Sequence, residues 1–263
     1  MMTGDSSETD KSSASDPPKV SVVTAAFNAL DGVRATVESV ASQSGVSVEH
    51  IVIDGGSSDG TVEYLSEPGS RAVWISEPDD GIADAMNKGV ERARGEYVIV
   101  LQAGDTFIDE GIVARVVPFL ERGPDIVSGN VRFADPVTGP TLKTRGFTFK
   151  TNFKTTILHQ AAFCRRSLFE RIGAFDTSYE VAMDYEFFLR AMRNGIRLET
   201  IDLSVAHMPD DGISSQLDWA ALEKRFAEER RIHSRHCPGP GMRMIYAAYW
   251  PAYLIYRRLK ALG

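Results

Sequence analysis

Four short apolar runs, interleaved with stretches whose apolar residues recur at helical spacing, constrain this chain more than any other feature. The runs are Val20-Ser21-Val22-Val23, Ile51-Val52-Ile53, Ala72-Val73-Trp74-Ile75 and residues 98–101. Between and after them, Leu30, Val33, Val37 and Val40, then Ile82, Ala85, Met86, Val90 and Ala93, then Ile112, Val113, Val116, Val117 and Leu120 each mark one helix face. Such alternation predicts an α/β fold with a mostly parallel sheet covered on both faces. Ligands of such sheets bind beyond the carboxyl ends of the strands, which directs attention to loops 25–28, 54–61, 77–81 and 102–106. The second half is less regular. Strands are expected over 125–133 and 142–149, and helices over 184–193 and 216–233.

With 263 residues, 43% of them hydrophobic, the chain can build one sizeable α/β domain with an appendage. A net charge of −7 argues against a nucleic-acid partner, which would require a basic face. Cys164 and Cys237 stand apart from each other and form no CxxC or Cys/His cluster, so neither a disulfide framework nor a zinc site is expected, and a reducing cytoplasm is the default. Residues 1–18 are polar and acidic without an apolar core, which predicts a disordered tail and no secretory signal. The first strand leads into AAFNALDG, which is not GxGxxG, and no GxxxxGK[ST] occurs. A Rossmann oxidoreductase or a P-loop enzyme is thereby disfavoured.

The strand-end loops are acidic: Asp54, Asp59, Asp79, Asp80, Asp84 and Asp105 fall on one predicted rim. Gathered carboxylates bind a cation, accept hydrogen bonds from a ligand, or exchange protons. In VIVLQAGDTF, Gly104 lets the backbone approach a ligand, and Asp105 can hold a magnesium-type ion if a diphosphate supplies further oxygens. The same residues also suit a turn into the next helix. DGGSSDGT alone reads as a pair of Asp-Gly turns. His159 and His207 are isolated in sequence and each has a structural reading.

The order of these pieces resembles the large family 2 glycosyltransferases, which have the GT-A fold. VSVVTAAFN (20–28), ESVASQS (38–44), IVIDGGSSDGT (51–61), EPDDGIADAMNKGVERARGEYVIVLQAGD (77–105), HQAAFCRRSLFERIGAFD (159–176) and MDYEFFLRAMRNG (183–195) carry the likeness. It implies a GT-A domain over 19–215, a helical extension over 216–263, and inverting transfer of a sugar from a nucleotide diphosphate (UDP, GDP or dTDP) to a glycan or lipid-linked acceptor. Ala26 and Asp54 match donor-base positions, with Phe27 and Asn28 beside them. Asp79, Asp80, Asp84, Asn87 and Lys88 match the nucleoside-pocket segment, and Ala103 and Gly104 the approach to the diphosphate. Asp105 matches the last acid of the DxD-type motif that binds divalent Mn2+ or Mg2+, with His207 as a second metal candidate. Asp184 matches the general base, and Tyr185, Glu186 and Arg190 follow it in the family pattern. Gln102 and Gly104 stand where further acids are common, so the metal rests on Asp105; Asn130 also replaces a common acid.

Residues 242–263 mix aromatic and aliphatic side chains with Arg243, Arg257, Arg258 and Lys260. The run is too short to span a bilayer and contains Pro251, so the expectations are contact with the inner face of a membrane or packing on protein, a homo-oligomer included. Two rivals differ in class: a noncatalytic nucleotide-sugar or glycan-binding member of the same fold, and a nucleotidyltransferase. The second lacks its expected Gly-rich basic loop after the first strand.

Overall fold

A computed structural model describes residues 17–69, 71–210 and 219–262. The expected N-terminal tail up to residue 16, and residues 211–218, lie outside the described residues.

Strand β1 (Val20–Ala26) is buried along its whole length. It can be apolar on both faces because each face has its own core: Val23 and Ala25 enter one cluster, Val20 and Val22 another. β2 (Val48–Asp54) and β4 (Tyr97–Val100) flank β1 in parallel, and β3 (Val73–Ser76) extends the sheet beyond β2. Helix α1 (Leu30–Ala41) buries Val33, Val37 and Val40, three of the four residues that mark its face in the sequence. A short α2 (Thr61–Leu65) follows β2. Helix α3 (Ile82–Arg92) lies close on β1 because residue 89 is glycine: a Cβ there would sit 2.3 Å from Val23 Cγ1. Helix α4 (Ile112–Leu120) buries Ile112, Val113, Val116 and Leu120.

Beyond β4 the sheet becomes mixed. Its strands are β5 (Thr106–Phe107), β6 (Ile126–Phe133), β7 (Thr141–Leu142), β8 (Ala162–Arg165) and β9 (Leu198–Met208), and the order across the sheet is β3-β2-β1-β4-β8-β6-β9-β5, with β7 on β6. β8 runs antiparallel to both β4 and β6, while β9 is parallel to β6 and antiparallel to β5. The strand expected over 142–149 ends at Leu142. Thr144 is held instead by side chains, its N–H on Asn130 Oδ1 and its hydroxyl against Ser128 Oγ. Gly146 then takes φ 65°, and a 3-10 turn follows at Phe149–Asn152.

Helices α5 (Arg166–Ile172) and α6 (Met183–Arg193) lead to a C-terminal pair, α7 (Trp219–Arg235) and α8 (Pro240–Leu262). The pair is docked on the α/β domain. Leu222, Phe226, Tyr246 and Trp250 form a cluster with Phe153 packed against it. Buried His233 accepts from Trp250 Nε1 at Nδ1 (3.1 Å) and meets the Tyr185 hydroxyl at Nε2 (2.9 Å). Indole N–H only donates, so the ring is neutral and carries its proton on Nε2. Burial accordingly holds its pKa down at about 4. Among the described residues no helix is long and apolar enough to cross a membrane.

Candidate active site

The loops after β1 and β2 are laced together. Asn28 adopts φ 47°; its N–H donates to Ser57 Oγ (2.7 Å) and its Oδ1 accepts from the Ser58 N–H (2.9 Å). Asp59 reaches back to accept the Leu30 N–H at the start of α1 (2.9 Å). Asp54 is fully buried and accepts from the N–H groups of Gly56 and Ser57, from the Ser57 hydroxyl and from Ser76 Oγ at 2.6 Å. Its carboxylate shapes the loop from within. Ala26 is buried beneath, whereas Phe27 is 64% exposed.

The loop after β3 closes the other side. A Cβ on Gly55 would lie 2.6 Å from Asp79 Oδ2 and 3.3 Å from Phe27 Cδ2, so these three residues converge on one spot where only glycine fits. Asp79 accepts the Gly81 N–H (2.9 Å), and Asp84 accepts the Asp80 N–H (3.2 Å). Lys88 joins Asp84 (3.1 Å) to Glu77 (3.0 Å). The Asp80 N–H first, and then Lys88, hold the Asp84 carboxyl below its ordinary value. Asn87 faces away from this rim and clamps the Phe175 backbone, donating to its carbonyl (2.8 Å) and accepting its N–H (2.9 Å).

Helix α1 positions the loop after β4. Gly32 brings the backbone of Ala103 and Gly104 so close that a Cβ would stand 3.0 Å from each. The Gly104 N–H donates to Gly32 O (3.1 Å), and Thr36 Oγ1 donates to Asp105 O (2.8 Å). Asp105 is buried and takes the Gln102 N–H on Oδ2 (3.1 Å). Among the described residues Gln102 Oε1, which is buried, has no hydrogen-bond partner. Thr106 pairs with His207 across β5 and β9, which brings the two metal candidates to one sheet edge. His207 Nε2 donates to Ala134 O (3.1 Å), leaving Nδ1 as its lone-pair nitrogen. Among the described residues no three His, Cys, Asp or Glu side chains form a metal-sized group, so Asp105 and His207 would need outside oxygens to complete a coordination shell.

Asp184 sits in the first turn of α6. Its Oδ1 accepts the Tyr185 N–H (2.6 Å), and its Oδ2 meets His159 Nδ1 (3.2 Å). Burial works against the charged imidazole, yet the hydrogen bond and charge of Asp184, with the charge of Asp105, keep the His159 pKa above its ordinary value. One ring thus lies within electrostatic reach of both carboxylates, and its buried Nε2 has no hydrogen-bond partner among the described residues. Single-sequence reading leaves His159 as an isolated histidine; the only signal was HQ opening a motif, and the pairing spans 25 residues of chain.

Helix α7 completes the surroundings. Glu228 accepts the N–H groups of Glu180 (2.8 Å), Val181 (3.0 Å) and Ala182 (2.9 Å), fixing the chain where it enters α6. Burial pushes the neighbouring Glu229 carboxyl up to about 7 against the pull of Arg225 and Arg257, with the charge of Asp184 adding to the rise. Neither glutamate had been singled out in sequence, because both look like surface residues of a charged helix.

Residues 21–181 match the family described as Glycosyl transferase family 2. An "uncharacterized glycosyltransferase" of Mycobacterium tuberculosis is 39% identical over 248 residues, covering 88% of this chain and 90% of its own. A "PGL/p-HBAD biosynthesis glycosyltransferase" of Mycobacterium bovis is 33% identical over 186 residues, 67% of this chain and 71% of its own. Two solved structures share the fold. TarS residues 1–349 of S. aureus, in complex with UDP-GlcNAc, aligns with a TM-score of 0.61 at 16% identity over 83% of this chain and 71% of that one. A mannosyltransferase of Pyrobaculum calidifontis, in complex with GDP-Man and Mn2+, aligns with a TM-score of 0.57 at 18% identity over 94% and 81%.

Proposed function

The chain belongs to glycosyltransferase family 2 and is a glycosyltransferase with a GT-A fold, and from that premise we propose an inverting, metal-assisted transfer in which Asp184 is the general base. The observation that carries this reading is His159, which lies against Asp184 and feels the charge of Asp105. In this reading the base for the acceptor and the ligand for the donor's metal stand within reach of one imidazole.

The donor, a UDP-, GDP- or dTDP-sugar, lies over the ends of β1 to β3. Phe27 offers its exposed ring to the base, and Asp79, Asp80 and Asp84 line the nucleoside side with Lys88 among them. Asp54, Asn28 and Asn87 act indirectly, by holding the loops in shape. The diphosphate comes to the backbone of Ala103 and Gly104. The carboxylate of Asp105 would suit Mn2+ or Mg2+ and the Nδ1 of His207 the softer Mn2+, and the relative solved with GDP-Man and Mn2+ supports a divalent ion. Such an ion supplies charge neutralisation for the departing nucleoside diphosphate.

Asp184 accepts the proton of the acceptor hydroxyl as that oxygen attacks the anomeric carbon from the side opposite the leaving group. A single displacement of this kind inverts the anomeric centre. The Tyr185 N–H and the His159 Nδ1–H hold the carboxylate with one oxygen each, so that its remaining lone pairs are directed rather than free to swing. The acceptor is a glycan or a lipid-linked sugar.

Thermal shifts with UDP, GDP, dTDP and CMP, each with Mn2+, Mg2+ or chelator, test the donor half. A nucleotide near 100 times its Kd stabilises by about 2.7 kcal/mol. We expect one nucleotide to do so only with metal, and Asp105→Ala to abolish the metal requirement together with most of the shift. Metal-dependent stabilisation retained in Asp105→Ala would refute the metal assignment.

A further inference from the structure

Helix α8 has two apolar faces, and among the described residues only one is packed against a neighbour. Tyr246, Trp250 and Tyr253 pack inward against α7 and Phe153. On the outside, Met244 is 72% exposed, Ile245 45%, Ile255 61%, Tyr256 57% and Leu259 67%. At helical spacing these five fall within roughly 120° of one another, so they form a continuous stripe along the helix. Phe149, 64% exposed, adds to it through Phe153, whose ring is 5.6 Å from Phe149 and 4.9 Å from Tyr249. Soluble proteins seldom gather exposed large apolar side chains in one patch without a partner for it.

Charge identifies the partner. The whole chain carries −7, yet residues 240–262 contain Arg243, Arg257, Arg258 and Lys260 and no acid. At the same spacing exposed Arg258 falls about 40° beyond one edge of the stripe, and exposed Lys150 and Lys154 flank Phe149 along the chain on the other side. Glu223 of α7 lies 3.7 Å from Arg258 at this edge. An apolar strip rimmed by cations fits the headgroup region of a bilayer rich in anionic lipid. A partner protein of complementary shape would not require cations on both rims.

We infer that α8 docks its outward face on an anionic lipid bilayer and holds the enzyme flat on the membrane surface. The inference goes beyond the transferase reading and needs no donor, metal or catalysis to be tested. For that reading, it places the enzyme where a lipid-linked acceptor is presented. Helix α7, against which α8 packs, also holds the entry to α6 through Glu228.

The test is co-sedimentation of the full chain with vesicles of equimolar phosphatidylglycerol and phosphatidylcholine, and with phosphatidylcholine alone. We expect binding to the anionic vesicles and little to the neutral ones. Lys150→Gln with Arg258→Gln should lower the partition coefficient by roughly five-fold for each cation removed. Ile255→Asp with Leu259→Asp should lower it by at least about ten-fold. Circular dichroism and the nucleotide-induced thermal shift should be unchanged in both variants. No sedimentation with either vesicle overturns the inference, and equal binding to neutral vesicles overturns the anionic surface. A dimer that Ile255→Asp with Leu259→Asp dissociates, without vesicle binding, overturns it in favour of contact between two copies.

Discussion

Glu229→Gln should stabilise this protein at neutral and alkaline pH and leave it unchanged in acid. Burial of this α7 residue, together with the Asp184 charge, raises the Glu229 carboxyl from 4.5 to about 7 against the pull of Arg225 and Arg257. The folded state therefore binds a proton that the unfolded chain has released throughout that interval, so this group's contribution falls as pH rises from about 4.5 to about 7. Each tenfold change in proton affinity corresponds to about 1.4 kcal/mol, which puts the full loss on the order of 3 kcal/mol. Glutamine keeps the size and removes the charge, so the variant should gain up to that amount above pH 7 and nothing below pH 4.5. His50 and His233, held by burial at about 3 and about 4, impose the opposite slope in both proteins and cancel in the difference. The assay is urea unfolding of both proteins at half-unit steps from pH 4 to pH 9. A flat difference across that range, or a variant that is weaker at pH 8, would refute the reasoning.

Two other substitutions probe how Asp184 is held. Glu228→Ala leaves three backbone N–H groups without their carboxylate, and a loss of about 1–3 kcal/mol is expected in chemical denaturation. His159→Ala removes the neighbour of Asp184 Oδ2; kcat should fall on the order of ten- to a hundred-fold with the donor KM unchanged, as steady-state kinetics would show.

The first half of the fold was legible because β1, β2 and β4 are buried on both faces, so each carries a short apolar run in place of regular alternation. The loops at their carboxyl ends were legible for the same reason. What those loops do with their polar atoms was not. Asp54 and Asn87 have the residue types of ligand contacts, and both also hold the surrounding chain through partners such as Ser76 and Phe175 that are distant in sequence. β9 was missed because its eleven residues bury Ile201, Val205 and Ala206 without regular alternation, where two register shifts against β6 break the period. The stretch 143–148 reads as a strand by composition but is held by Asn130 and Ser128 side chains instead of a ladder. His159 and Asp184 meet only because β8 runs beside β4 and delivers the preceding turn to the cleft. In the C-terminal tail, Tyr and Trp content announced an amphipathic helix, while the use of one face for docking on α7 depended on the neighbouring helix.

The central claim is that Asp184 takes the proton from the acceptor. Its most direct test is the rate of sugar transfer by Asp184→Asn, measured beside nucleotide-induced stabilisation of the same variant. The account predicts a loss on the order of 10²- to 10⁴-fold in transfer with donor binding retained. Full transfer by Asp184→Asn would contradict it and move the base to another residue of the cleft.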